Sequence, residues 1–252
     1  MWDPLNYLDE EPTAASLHRV SRDMMDYVLN PVPRSILYVE ETDFTRQHVL
    51  LAGEQGTAWA GGFFEFFIKF PRDYPTRPPR VRFLTTDHGR VQFHEKLPPY
   101  GMVRLDVLAT TGTSAWRSYM TLSTTIHAIK SLLRECRSRP RYIRTQTMRV
   151  AVLEQLKRAL KADNTQPPTF RKYIIHSFLD SYDEYERSVT STIKGVPFAT
   201  GDGWNYKKEE LLAHLRACKE KAELFVQAEA ANEEVPVRHT VLAPAPADHS
   251  VR

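Results

Sequence analysis

Four short segments, "SILYVE" (35–40), "HVLLAG" (48–53), "FFEFFIKF" (63–70) and "RVRFLT" (80–85), follow one another with no helical stretch between them. Each is rich in β-branched and aromatic residues and bounded by polar or glycine-containing breaks, as strands are. Successive strands with short links pair as an antiparallel meander, because a parallel sheet would need a crossover between each pair. Helical patterns flank the block instead. Before it, from about Thr13, Leu17, Val20, Met24 and Val28 recur at spacings of three and four. That pattern ends at "NPVP", where proline disfavours helix at the preceding residue. After the block, periodicity predicts helices over roughly 121–135, 145–162, 168–188 and 205–230. The last carries the stripe Leu211, Leu215, Cys218, Ala222 and Phe225. It spans barely two heptads, which favours packing onto the body over a dimeric coiled coil. Helix, strands, loop, helices: the order specifies an α+β fold.

Between residues 86 and 120 the pattern dissolves into "PPYG" and "TTGTSAW". An irregular segment of this length inside a compact domain is usually functional or disordered. The expected organisation is a loose acidic arm over 1–12, a core over 13–165, a packed helical extension over 166–231 and a disordered tail over 232–252. The tail, "NEEVPVRHTVLAPAPADHSVR", has three prolines and no periodicity.

Composition excludes more than it selects. A formal net charge of +3 over 252 residues is too mild to predict nucleic-acid binding. No apolar run approaches the ~18 residues of a membrane span, and the start, "MWDPLNYLDEEP", does not read as a secretory signal. Cys136 and Cys218 are the only cysteines, with no CxxC between them. That argues against a disulfide framework or a cysteine-based zinc site and fits a reducing compartment. The expectation is a soluble cytoplasmic or nuclear protein without metal, cofactor or membrane contact.

The stretch "FPRDYPTRPPRVRF" (70–83) resembles the ubiquitin-conjugating enzymes, in which a Phe-Pro turn follows the third strand and leads to Tyr-Pro and a Pro-Pro pair. Phe70, Pro71, Tyr74, Pro75, Pro78 and Pro79 match. Prolines fix φ and lack an amide donor, so the chain crosses there as a stiff turn outside the sheet. Further landmarks keep the family's spacing: His94 seven residues before Gly101, then Leu105, Asp106 and Trp116. "AGGFFEF", "PPRVRFLTT", "RTQTMRVAV" and "SFLDSYDEYE" look like the Z branch, which carries a helical C-terminal extension. The resemblance covers roughly residues 15–225. It implies the UBC fold: an N-terminal helix, a four-stranded antiparallel meander, an extended active-site loop and C-terminal helices.

It also implies a reaction that this chain departs from. The family exchanges thioesters: a cysteine thiolate takes ubiquitin's C-terminal acyl group from an activating enzyme and yields it to an amine or another thiol. That step needs a thiol with a pKa near ~8.5. Where the resemblance places this cysteine, ten residues after the motif histidine, stands Arg104. A guanidinium stays protonated, only donates, and forms no acyl intermediate. Lys96 stands where the family has an asparagine that supports the loop and the oxyanion, and Glu95 where it has proline. Losing one oxyanion donor costs on the order of 10²–10³ in rate, so Lys96 would cripple the reaction and Arg104 abolish it. Glu95 and Lys96 argue against a lone substitution at 104. Spacing alone allows Arg104 to pair with Asp106 on one side of a strand, or to lie along solvent. The leading expectation is an inactive, binding member of the family. The alternatives are a transferase using Cys136 or a rearranged loop, with Cys218 the other free cysteine, and an anionic-partner binder acting through the 134–149 arginine cluster.

The resemblance further implies partner-facing positions: His18, Arg19 and Arg22 on the first helix, Pro71 and Thr76 at the proline turn, Ser118 and Tyr119 after the tryptophan. On residue pattern alone, the three basic residues of the helix read first as a solvated face, with a docking face for an acidic partner as the alternative. Thr76 and Ser118 lack the apolar and proline chemistry of the family's ligase contacts, so weak binding to ordinary RING ligases is expected. The implied partners are ubiquitin or a ubiquitin-like modifier, an activating enzyme, or an active conjugating enzyme. The cluster "RECRSRPRYIRTQTMR" (134–149) is either a solvated linker or a contact for an acidic partner; RNA stacking has little support beyond Tyr142.

Overall fold

The computed structural model describes residues 2–134, 140–161, 166–192, 198–199, 205–206 and 208–233. The meander forms as expected: β1 (Ser35–Glu40), β2 (Asp43–Ala52), β3 (Phe63–Lys69) and β4 (Arg80–Phe83) pair antiparallel in the order β1-β2-β3-β4. β3 is buried along its whole length because both faces of the sheet are covered. On one face Val49, Leu51, Phe64, Phe66 and Ile68 pack with Val20, Ile126 and Ile129. On the other, Leu50 and Phe63 pack with Val152, Leu156, Phe170 and Ile174. Its two charged residues are paired, as buried charges must be. Lys69 Nζ lies 2.7 Å from Asp43 and 2.6 Å from Thr45, and Glu65 meets His48 and Arg158.

The first helix, α1 (Ala14–Leu29), starts at Thr13, whose side chain accepts from the Ser16 amide. Its buried face is Ser16, Val20, Asp23 and Tyr27. The stripe expected from apolar spacing is therefore rotated, and Val28 is 64% exposed. The reason is polar: Asp23 is drawn inward by the partners described below.

α2 (Leu122–Leu132) follows the irregular segment and opens with a capping box between Thr121 and Thr124. The helix expected over 145–162 is instead α3 (Pro140–Gln146), a π-helical stretch (Thr147–Glu154) and α4 (Gln155–Leu160). The one expected over 168–188 breaks at Ser181 into α5 (Pro168–Asp180) and α6 (Tyr182–Thr192). A two-residue hairpin, β5 (Phe198–Ala199) and β6 (Asn205–Tyr206), precedes α7 (Lys208–Glu233). Leu211, Leu215, Cys218 and Ala222 of α7 are buried against α4, α5 and α6. Among the described residues no helix is long and apolar enough to cross a membrane.

The N-terminal arm is not loose. Residues Pro4–Tyr7 form a 3₁₀ turn with Pro4 buried. Asp3 pairs with Arg82, Glu10 with Arg80 at 2.5 Å, and the Arg80 guanidinium lies 3.7 Å from the centre of the Tyr7 ring. Asp3 and Glu10 find their counterions on β4. The tail beyond Glu233 lies outside the described residues.

Candidate active-site loop

The segment from His94 to Trp116 hangs from the free edge of β4. Met102 bridges Arg82, and the Phe83 amide donates to the Gly101 carbonyl at 2.8 Å. Gly101 has φ +94°, and a Cβ there would lie 2.8 Å from the Phe83 carbonyl oxygen, so only glycine fits this approach. Beyond it the chain alternates like a strand. Val103 and Leu105 are buried, and Arg104 and Asp106 face solvent.

Two contacts fix Arg104. Its amide donates to the Lys96 carbonyl at 2.9 Å, and Nη2 donates to the Tyr100 hydroxyl at 2.8 Å. The 94–97 turn is closed by the Leu97 amide on the His94 carbonyl and the Lys96 amide on His94 Nδ1, 3.0 Å away. Lys96 and Arg104 are thus adjacent, both exposed. Tyr100 packs at 5.9 Å between ring centres on Trp2, so the arm braces the loop. Sequence reasoning missed Tyr100 and Trp2. The signal was an aromatic residue beside a glycine in an irregular loop, and no periodicity assigned it a partner.

Of the two arrangements that spacing allows, Arg104 lies exposed and does not pair with Asp106. Asp106 opens a 3₁₀ turn (Asp106–Leu108), and its carboxylate accepts from the Thr111 and Thr113 hydroxyls. Those bonds hold its carboxyl below the ordinary aspartate range, with Lys96 adding a smaller push the same way. Trp116 belongs to the packing: it is buried and its indole N–H donates to the Pro75 carbonyl at 2.7 Å. A cleft of about 530 Å³ opens between the arm, the proline turn and the loop, lined by Trp2, Tyr7, Thr76, Met102, Leu108 and Trp116.

The expected partner surface divides. His18, Arg22 and Thr76 are exposed, and Tyr119 is 77% exposed. Arg19 is engaged internally. It donates from Nε to Asp23 at 2.7 Å, from Nη1 to the Ser118 carbonyl at 2.7 Å and from Nη2 to the Met120 carbonyl at 2.6 Å. It is therefore an anchor for the 118–120 turn, not a free docking residue. Pro71 is buried, and its carbonyl accepts from Ser16 Oγ. Ser118 is exposed at its side chain.

The arginine cluster also divides. Arg149 is buried against Asp87 at 2.8 Å and Arg134 pairs with Glu54 at 2.9 Å, whereas Arg141 and Arg144 are exposed. Arg137, Arg139 and Cys136 lie outside the described residues. Cys218 is buried in α7, away from the loop, and burial pushes its thiol above the ordinary range.

A family model of ubiquitin-conjugating enzymes matches residues 19–161. Ubiquitin-conjugating enzyme E2 Z of Xenopus tropicalis is 32% identical over 206 residues, 74% of this chain and 64% of that protein. The Homo sapiens protein of the same name is 32% identical over 205 residues, 73% and 57% of the two chains. The chain thus spans less than two thirds of the length of these curated relatives. Among solved structures, human ubiquitin-conjugating enzyme E2 G1 is 28% identical with a TM-score of 0.42, covering 48% of this chain and 94% of that one. With the family model matching more than half of its length, the chain belongs to the ubiquitin-conjugating enzyme family and resembles its Z branch.

Proposed function

We propose that this chain is a catalytically inactive ubiquitin-conjugating-enzyme-like protein that acts by binding, as a scaffold or modulator within the ubiquitin or ubiquitin-like modifier pathway. One observation carries the reading. Arg104, at the position that the resemblance assigns to the family's thiol, is exposed and tied to Lys96 and Tyr100. A guanidinium there can hold an anion but cannot accept an acyl group. Incubation with activating enzymes, ATP and ubiquitin is the test. No thiol-sensitive conjugate is expected. A band that disappears on reduction, and is lost in Cys136→Ala, would replace this reading with that of a transferase.

The partners proposed are the modifier itself, its activating enzyme, or an active conjugating enzyme, docked on the face that carries His18 and Arg22. Ordinary RING ligases should bind weakly. Thr76 presents a hydroxyl where an apolar anchor is needed, and Ser118 gives no rigid proline; hot-spot contacts of this kind contribute about 2 kcal/mol or more each. Titration of a panel of RING domains should give affinities weaker than micromolar; a tighter complex at Thr76 and Tyr119 would overturn this.

A further inference from the structure

We propose that the cleft between the β2–β3 turn and α6 is a docking site for an extended acidic segment of a partner protein, held by Arg144 and Arg187. The site stands apart from the loop that carries residue 104 and shares no lining residue with the cleft beside that loop. It gives a role to the part of the 134–149 arginine cluster that the fold leaves unpaired.

A cavity of about 380 Å³ opens where the β2–β3 turn meets the start of the π-helical stretch and α6, with Gly56, Arg144, Thr147, Tyr185 and Arg187 among its walls. Those walls are fastened to one another. The Tyr185 hydroxyl donates to the Gly61 carbonyl at 2.8 Å, Thr147 donates to the Ala58 carbonyl at 3.1 Å, and Gln55 donates to Glu184 at 2.7 Å. Gly61 has φ +73°, and a Cβ there would lie 2.5 Å from the Tyr185 ring, so glycine lets the turn rest directly on α6. A site whose walls are already placed has less ordering to offset when it binds.

Its charge is one-sided. Arg144 is exposed and has no acidic partner among the described residues. Arg187, also exposed, is bonded through Nε to the Asp183 carbonyl at 3.2 Å, which leaves its terminal nitrogens as donors. Arg34 adds a third cation on the same turn, donating to the Gly53 carbonyl at 2.7 Å. Glu184 is the one carboxylate in the cavity wall, and the Gln55 amide already engages it. Asp183, exposed one turn before Arg187, offsets part of this field, while Glu186 is held by Arg216 at 3.0 Å. The other described arginines of the cluster divide: Arg149 is paired with Asp87 and Arg134 with Glu54, but Arg141 is exposed one turn before Arg144 and outside the cavity wall. A single small anion would use the cavity alone. Cations that continue past it match a chain with several carboxylates, each accepting the planar fork of one guanidinium.

The test is fluorescence anisotropy of the full chain with a labelled, end-capped peptide of alternating Glu and Gly, and with its Gln-Gly counterpart. The acidic peptide should bind saturably at low salt and the neutral one should not, and binding should weaken as salt rises. Arg144→Gln and Arg187→Gln should each weaken it by about two- to fivefold, and the double variant by about five- to twentyfold, as exposed charge pairs do. Arg144→Lys, which keeps the charge and loses the fork, should fall in between. Lys221→Gln removes an exposed cation from α7 and should change nothing. Thermal unfolding establishes that each variant folds. Inorganic phosphate at matched ionic strength should compete poorly; displacement by micromolar phosphate would make the cleft a small-anion site and overturn the segment as its occupant. No saturable binding, equal binding of the two peptides, affinity that survives in the double variant, or an equal loss in Lys221→Gln would each overturn the docking site. None of these touches the inactive-scaffold reading, which fails separately if a thioester band forms.

Discussion

Replacing Asp23 by alanine should lower the unfolding free energy by about 3–5 kcal/mol, the cost of removing one member of a buried, hydrogen-bonded charge pair. For a chain of this size that corresponds to a fall in Tm of roughly 6–20 °C. The Asp23 side chain has no exposure, and both of its oxygens are used. One accepts from Arg19 Nε at 2.7 Å; the other accepts from the Tyr74 hydroxyl and from the Leu122 amide at 3.2 Å. Burial, and then the Asp23 bond, drive the Tyr74 phenol well above its ordinary pKa, so it stays a donor. Alanine would leave a nearly buried guanidinium, a buried hydroxyl and a helix amide without their acceptor. Asn is the useful comparison. It keeps the shape but turns one end into a donor, so Asp23→Asn should lose less than alanine and still more than 1 kcal/mol. The loss should also reach the partner surface, because Arg19 holds the Ser118 and Met120 carbonyls. Thermal and denaturant unfolding of the three proteins decide the matter. A change below 1 kcal/mol for alanine would mean that water reaches the site and that the network is not a keystone of the fold.

That same network marks the boundary of what could be read from residues in order. The strands were legible because β-branched and aromatic runs with polar breaks have few other solutions. The start of α1 was legible from the three-and-four spacing that opens near Thr13, the residue that caps it. Which side of α1 faces inward was not. Hydrophobic spacing registers Leu17 and Val28, but the buried positions include Ser16, whose hydroxyl donates to Pro71 55 residues away, and Asp23, whose inward pull comes from Tyr74 and Leu122, 51 and 99 residues away. The arm was misjudged for the same reason: acids read as solvated until Arg80 and Arg82, 70 and 79 residues on, are brought beside them. In the loop, Arg104 was visible only through the spacing of His94, Gly101 and Trp116. Its neighbour in space was not, since an irregular segment has no period from which to infer that Tyr100 rather than Asp106 would receive it.

If residue 104 does stand where the thiol acted, chemistry should return when the thiol does. Arg104→Cys should produce a thiol-sensitive ubiquitin conjugate that the unaltered protein does not form. A cysteine there would be exposed, with its amide still on the Lys96 carbonyl and the Lys96 ammonium nearby. A neighbouring cation lowers a thiol's pKa, so loading from the activating enzyme should not require a second change. Transfer onward is a different demand. It passes through a tetrahedral oxyanion, and Lys96 is a mobile point charge where the family has an amide that supports the loop. Restoring Lys96→Asn in the same chain should raise the rate of discharge to an amine by on the order of 10²–10³, the usual worth of one placed oxyanion donor. Single-turnover discharge, with unfolding curves to show that each variant folds, separates the two steps. Loading by the single variant with faster discharge by the double variant would place the loss of activity in two side chains on an intact scaffold. Failure of both folded variants to load would place it in the docking of the activating enzyme on α1, where His18 and Arg22 are exposed and Arg19 is already engaged with Asp23.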